Sequence, residues 1–179
     1  MKLGLERLIP GEVFQDFGYS RYIYGLPVEL GLYKFFPSSP EHKGNYRYAI
    51  DILVPDPRVE ETLVYAPASG FIQYVCIEHY NWGCSPEDAG SLNFVNVDVG
   101  GEFYELCHIE PVNGVSLFPG REIRKGEVIA RVGLNGRITT TNGNPDSHIH
   151  MMVGKWMDKE VFTSLRIRWE RNVEFISAY

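Results

Sequence analysis

Leu92-Asn93-Phe94-Val95-Asn96-Val97-Asp98-Val99, then Gly100-Gly101, then Glu102-Phe103-Tyr104-Glu105-Leu106-Cys107-His108-Ile109, is the stretch whose reading decides the fold class. Both flanks are alternating apolar runs, the period-two pattern that sets one face of a strand against a core. The Gly-Gly pair between them supplies the backbone freedom of a two-residue hairpin turn. Two adjacent antiparallel strands are therefore expected.

The same reading extends outward. Residues 46–54 read as a strand stopped by Pro55-Asp56-Pro57, with Arg47, Ala49 and Asp51 on one face. Residues 63–66 and 70–78 read as strands around Pro67, and 79–91 as a loop rich in Gly, Cys, Pro and Asp. Turn chemistry marks 118–126, a strand follows over 127–133, and 134–146 is a polar loop. Residues 147–154 form another strand. A short helix is expected over 158–168 and a closing strand over 172–177. Many short strands and little helix predict an all-β body, a mainly antiparallel sandwich or barrel-sandwich hybrid.

The chain has 179 residues, 44% hydrophobic and 22% charged, which suits one domain with a proper core. A formal net charge of −6 argues against a nucleic-acid partner, and the cluster Arg166, Arg168 and Arg171 reads as a solvated face. No run approaches 18 apolar residues, so no transmembrane helix is expected. The first residues carry acid and base early and lack an apolar core, so they do not read as a secretory signal. Cys76, Cys84 and Cys107 are odd in number. A Cys76–Cys84 bridge stays open, with buried free thiols the preferred reading. Nothing here sets the oligomeric state.

Chemistry concentrates in Ser147-His148-Ile149-His150. On a strand the two histidines share one face, about 7 Å apart. A catalytic zinc site commonly takes three His, Asp or Glu ligands and leaves a position for water. Candidate ligands are His42, Asp51, His108, His148 and His150. Asp51 lies mid-strand among Ala49, Ile50, Ile52 and Leu53, where a carboxylate is costly unless it pairs or binds a cation. His108 is expected at a rim where strand becomes loop, and His79 either lines a groove or is exposed.

The order of these residues resembles the lysostaphin/LytM-type zinc metallopeptidases, which act on Gly-Gly and peptidoglycan peptide bonds. The matching landmarks are His42, Gly44 and Asp51 in Tyr48-Ala49-Ile50-Asp51-Ile52, then Val64-Tyr65-Ala66-Pro67-Ala68-Ser69-Gly70-Phe71-Ile72. His108-Ile109 follows, then a glycine frame from Gly120 through Gly126 to Gly133, then Gly133 to Gly136 and His148 to His150. The match covers roughly residues 40–154. It implies His42, Asp51 and His150 as ligands of one zinc per chain, and His108 and His148 as catalytic histidines. It also implies a peptide or peptidoglycan substrate, hence action outside the cytoplasm. Domains follow as an irregular lead-in over 1–40 packed on the core, a LytM-type domain over 41–155 and an extension over 156–179. Three departures stand out: nine residues separate His42 and Asp51 where the family often has four, Leu106 replaces the usual Tyr two residues before the catalytic His, and the loop before His-x-His is longer than usual.

Other readings are a non-catalytic LytM-like wall-binding or regulatory module, and a carrier-like β-sandwich. A carrier needs a Met-Lys hairpin tip, which this region lacks. A cupin follows His-x-His within a few residues by a Glu and later by another His; here the next acid after His150 is Asp158, and no His follows. Residues 1–40 could also occlude the groove as a latent pro-region.

Overall fold

The computed structural model describes residues 18–29, 35–36, 42–158 and 161–170. The main sheet has eight strands, all paired antiparallel. Its order is Phe35–Phe36, Ile50–Leu53, His148–Trp156, Phe103–Cys107, Phe94–Asp98, Gly70–Cys76 and Glu122–Ile123, and Phe162–Ser164 also pairs with His148–Trp156. A three-stranded sheet, Leu63–Tyr65, Val128–Val132 and Ile109–Glu110, adds a second layer. The all-β expectation holds.

The core follows from the alternation. Ile52, Ile149, Met151, Leu106, Val95 and Ile72 project inward from the main sheet, each no more than 2% exposed. Val64, Ile129 and Ile109 of the second layer join them in one cluster. The opposite face of the main sheet carries the polar residues of those strands, Asp51, His148 and His150 among them. Gly70 is fixed by close approach of the backbone: a Cβ there would lie 2.2 Å from the Asp98 carbonyl oxygen.

The hairpin turns at Gly100 and Gly101, whose φ values of 101° and 89° disfavour any side chain. Asp98 Oδ1 accepts both their N–H groups, at 2.7 and 3.0 Å.

Several local expectations are corrected. Residues 161–168 hold a strand, Phe162–Ser164, in place of a helix. The β-branched and aromatic residues Val161, Phe162 and Thr163 suit the open edge beside Gly154–Trp156. The first long strand begins at Ile50, because Gly44–Tyr46 forms a 3₁₀ turn that Gly44 enters at φ 56°. Loop 79–91 contains a 3₁₀ turn, Pro86–Ser91, with a capping box from Ser85 and Asp88. Loop 134–146 contains a hairpin, Thr140–Thr141 with Asn144–Pro145, turning at Asn142-Gly143, both at positive φ. The Asn-Gly pair was a legible hairpin signal. The closing strand expected over 172–177 lies outside the described residues. All three cysteines are free, but only Cys107 is buried; Cys84 is exposed on its loop.

Candidate metal centre

The site is built on three neighbouring strands. Asp51 stands directly opposite His150, and His150 directly opposite Cys107. Directly opposed residues in antiparallel strands project to the same face, with Cβ atoms about 5 Å apart. His148, two residues before His150, shares that face. The buried His42 arrives from the segment before the Gly44–Tyr46 turn.

Three donor atoms converge. His150 Nδ1 lies 2.9 Å from Asp51 Oδ1, His42 Nε2 lies 3.2 Å from the same oxygen, and the two ring nitrogens are 3.3 Å apart. A tetrahedral zinc with bonds of about 2.0–2.1 Å sets its donor atoms about 3.3 Å from one another. The group therefore has the spacing and the hard-to-borderline N/O chemistry of a divalent-cation site. His42, Asp51 and His150 are the group among the described residues whose donors, all within 4.8 Å, can hold a metal ion. Cys107 lies beside it but offers no thiolate: burial first, then the Glu105 carboxylate, push its thiol well up.

Burial alone would raise the Asp51 carboxyl. The hydrogen bonds from His150 and His42, and the nearby His148, outweigh it and hold Asp51 well below the usual carboxylate range. Asp51 therefore stays anionic.

His148 and His108 form a second pair, ring centroids 4.4 Å apart at 65°. His148 Nδ1 donates to the Asp146 carbonyl at 2.7 Å, and His108 Nδ1 donates to the Asn135 carbonyl at 2.8 Å. A carbonyl only accepts, so both rings carry a proton on Nδ1; in a neutral ring Nε2 is then left as the acceptor. His148 Nε2 is 3.8 Å from Asp51 Oδ1, which ties this pair to the first group. His108 is pushed down to about 3, by burial first and then by His148. It stays neutral at ordinary pH.

His108 is also not at a rim. It is buried and adopts φ 62°, a left-handed conformation uncommon for a residue with a Cβ. There the chain leaves the main sheet at Cys107 and enters the second layer at Ile109. The bend is clamped by two residues that sequence reasoning missed, Asn93 and Asn135, both 0% exposed. Asn93 accepts the His108 N–H on its carbonyl at 3.0 Å, and its side chain binds both main-chain groups of His79. Asn135 Oδ1 accepts from Asn93 N at 2.8 Å, and Asn135 Nδ2 donates to the Ile109 carbonyl at 3.0 Å. The available signal was an asparagine in each of two otherwise apolar or glycine-rich contexts, Leu92-Asn93-Phe94 and Leu134-Asn135-Gly136. His79 itself is half-buried and outside the His42–Asp51–His150 group.

No family model and no curated protein matches the chain. Among solved structures it is similar to a candidate glycyl-glycine endopeptidase LytM from Ruminococcus gnavus, at 13% identity and a TM-score of 0.54, over 80% of this chain and 57% of that one. It is also similar to a zinc-containing peptidase from Vibrio cholerae (20% identity, TM-score 0.46, 74% of this chain and 36% of that one). A third is the deep-sea M23 metalloprotease pseudoalterin (13% identity, TM-score 0.48, 82% of this chain and 76% of that one). The chain thus spans about a third of the Vibrio cholerae chain and just over half of the Ruminococcus gnavus chain. The likeness at 0.54 shows a shared fold, the all-β LytM type.

Proposed function

We propose that this chain is a zinc-dependent endopeptidase, with His42, Asp51 and His150 as the metal ligands and His108 and His148 as the catalytic histidines. The observation that carries the reading is the convergence of His42 Nε2, Asp51 Oδ1 and His150 Nδ1 at 2.9–3.3 Å on a sheet face. A zinc ion held by such a set makes water acidic near neutral pH and polarises a carbonyl.

The chain's own residues supply the rest. His148 and His108 are each held through Nδ1, by the Asp146 and Asn135 carbonyls, which leaves Nε2 for the chemistry. One takes the proton of the attacking water, and the other stabilises the developing oxyanion or passes a proton to the leaving amine. His148 Nε2 lies 3.8 Å from Asp51 Oδ1 and His148 shares the strand of His150; His108 is buried, and burial makes it hard to protonate. These features favour His148 as the group that cycles through the protonated state. The anionic Asp51 would offset part of the charge of a divalent cation.

The substrate class extends the resemblance in landmark order: peptide bonds in peptidoglycan stems or crosslinks, reached outside the cytoplasm. The test is elemental zinc per chain in wild type, His42→Ala and His150→Ala after zinc reconstitution, followed by cleavage of pentaglycine and wall peptides. About one zinc in the wild type, lost in both variants, together with wild-type cleavage abolished in His148→Ala, is the expected result. A wild type that takes up no zinc overturns the reading.

A further inference from the structure

Next to the ligand group on the same sheet face is a second polar patch with an unusual balance. Asn96 stands opposite Glu105, and Glu105 opposite Met152. This row lies one two-residue step, about 7 Å, from the row that contains Cys107, His150 and Asp51. The half-buried Glu105 carboxylate receives Asn96 Nδ2 at 3.3 Å and the Cys107 thiol at 3.8 Å, both weak donors at those distances. No ion pair joins it among the described residues, although its burial pushes its carboxyl up. Asn96 is 2% exposed, yet its Oδ1 is buried with no hydrogen-bond partner. Two acceptors thus sit side by side short of donors, which is costly unless a donor-rich group arrives.

Aromatic rings flank the patch. Tyr46 packs edge to face against His150, on the neighbouring row, at 6.3 Å. On the other side Tyr74 and Trp156 meet edge to face at 6.3 Å, and Trp156 stacks on Phe103 at 5.0 Å. Tyr46, Tyr74 and Trp156 are 41%, 55% and 36% exposed, an open aromatic rim around a carboxylate. Carboxylate, carbonyl-type oxygen and ring faces together are the chemistry that recognises an ammonium group.

We propose that Glu105 and Asn96, rimmed by Tyr46, Tyr74 and Trp156, form a specificity subsite for a primary ammonium group on the peptide substrate. The inference rests on the peptidase reading and deepens it. An extended peptide advances about 3.3 Å per residue, so the 7 Å offset corresponds to a lysine-like side chain about two residues from the scissile bond.

The test uses the zinc-loaded full chain and glycine-alanine peptides in which one position at a time carries Lys or its uncharged near-isostere norleucine. At one position the Lys peptide is expected to be favoured about ten-fold in kcat/KM, as suits a charged hydrogen bond. Glu105→Gln brings that ratio toward one. Tyr74→Ala, which removes an exposed ring and leaves the core intact, lowers it about three-fold. A ratio near one at every position in the wild type, or a ratio kept in Glu105→Gln, overturns the subsite. If no peptide is cut, calorimetric binding of the same peptides decides. A Lys preference lost in Glu105→Gln supports the subsite while the peptidase reading falls, and no preference overturns both.

Discussion

Asp51 and His150 face each other across two antiparallel strands, and His150 Nδ1 lies 2.9 Å from Asp51 Oδ1. The register of the sheet sets this contact, so the candidate ligand group inherits the rigidity of the core beneath it. Ile52 and Ile149, the inward neighbours of those residues, are paired in the same register and are 0% exposed. The chemistry is positioned by a packed sheet on two of its three corners, and by a turn only at His42.

Asp51→Asn is expected to abolish zinc retention and to change the acid limb of stability in the zinc-free protein. The folded-state carboxyl of Asp51 is held well below its unfolded value. Its charge therefore contributes stability above about pH 4, where the unfolded chain is also ionised, and that contribution is lost as pH falls through the folded value. Urea unfolding of zinc-free protein in steps from pH 6 to pH 2 should show a steeper loss in the wild type than in Asp51→Asn. Parallel curves would refute this.

His108 gives a second pH signature. Its folded value of about 3 lies below the 6.5 of an unperturbed imidazole. The unfolded chain thus binds an extra proton between those values. Stability is full above pH 6.5 and falls toward pH 3, by at most about 1.4 kcal/mol per pH unit. The ring resonances of His108 should show no titration between pH 8 and pH 5. His108→Gln should flatten the stability curve in that window. A mid-point near 6 in the wild type would contradict the assigned neutral state.

Much of this was legible in the sequence. Period-two patterning around Gly100-Gly101 gave the hairpin, and the apolar neighbours of Asp51 marked its charge as needing a partner. His-x-His spacing placed two imidazoles on one face. What stayed hidden depended on which strand edges were left open and on buried polar contacts. Phe162–Ser164 became a strand because His148–Trp156 offers it an open edge 6 or more residues away, which no local pattern states. The left-handed bend at His108 is enforced by Asn93 and Asn135, and sequence spacing does not show that residues 42 apart share a hydrogen bond. His42 was one candidate among five until the order of landmarks singled it out, since it precedes a turn and no strand register fixes it.

Asn135→Ala should separate positioning from metal binding. It leaves the Asn93 N–H and one bond to the Ile109 carbonyl unpaired in a buried setting. Each loss costs about 1–3 kcal/mol. The carbonyl that holds His108 is main chain and remains, but the clamp that fixes it is gone. Urea midpoints should fall by an amount corresponding to about 2–4 kcal/mol, zinc content should stay at the wild-type level, and kcat should drop more than KM changes. Zinc lost in proportion to activity would assign Asn135 a structural part only.

Residues 18–29 are expected to act as part of the core and not as a removable cover. Tyr24 is 0% exposed and meets the buried Tyr104 edge to face at 6.1 Å. Its backbone ties the segment to the chain's other end: Tyr24 N–H donates to the Arg168 carbonyl at 2.8 Å, and Glu170 N–H donates to the Tyr24 carbonyl at 2.9 Å. Removing such a ring from a packed core costs about 3–5 kcal/mol. Tyr24→Ala should therefore lower stability by that order in urea, and deletion of residues 1–29 should yield a chain that fails to unfold cooperatively. A deletion that stays cooperative and gains peptidase activity would instead make this segment a latent cover over the groove.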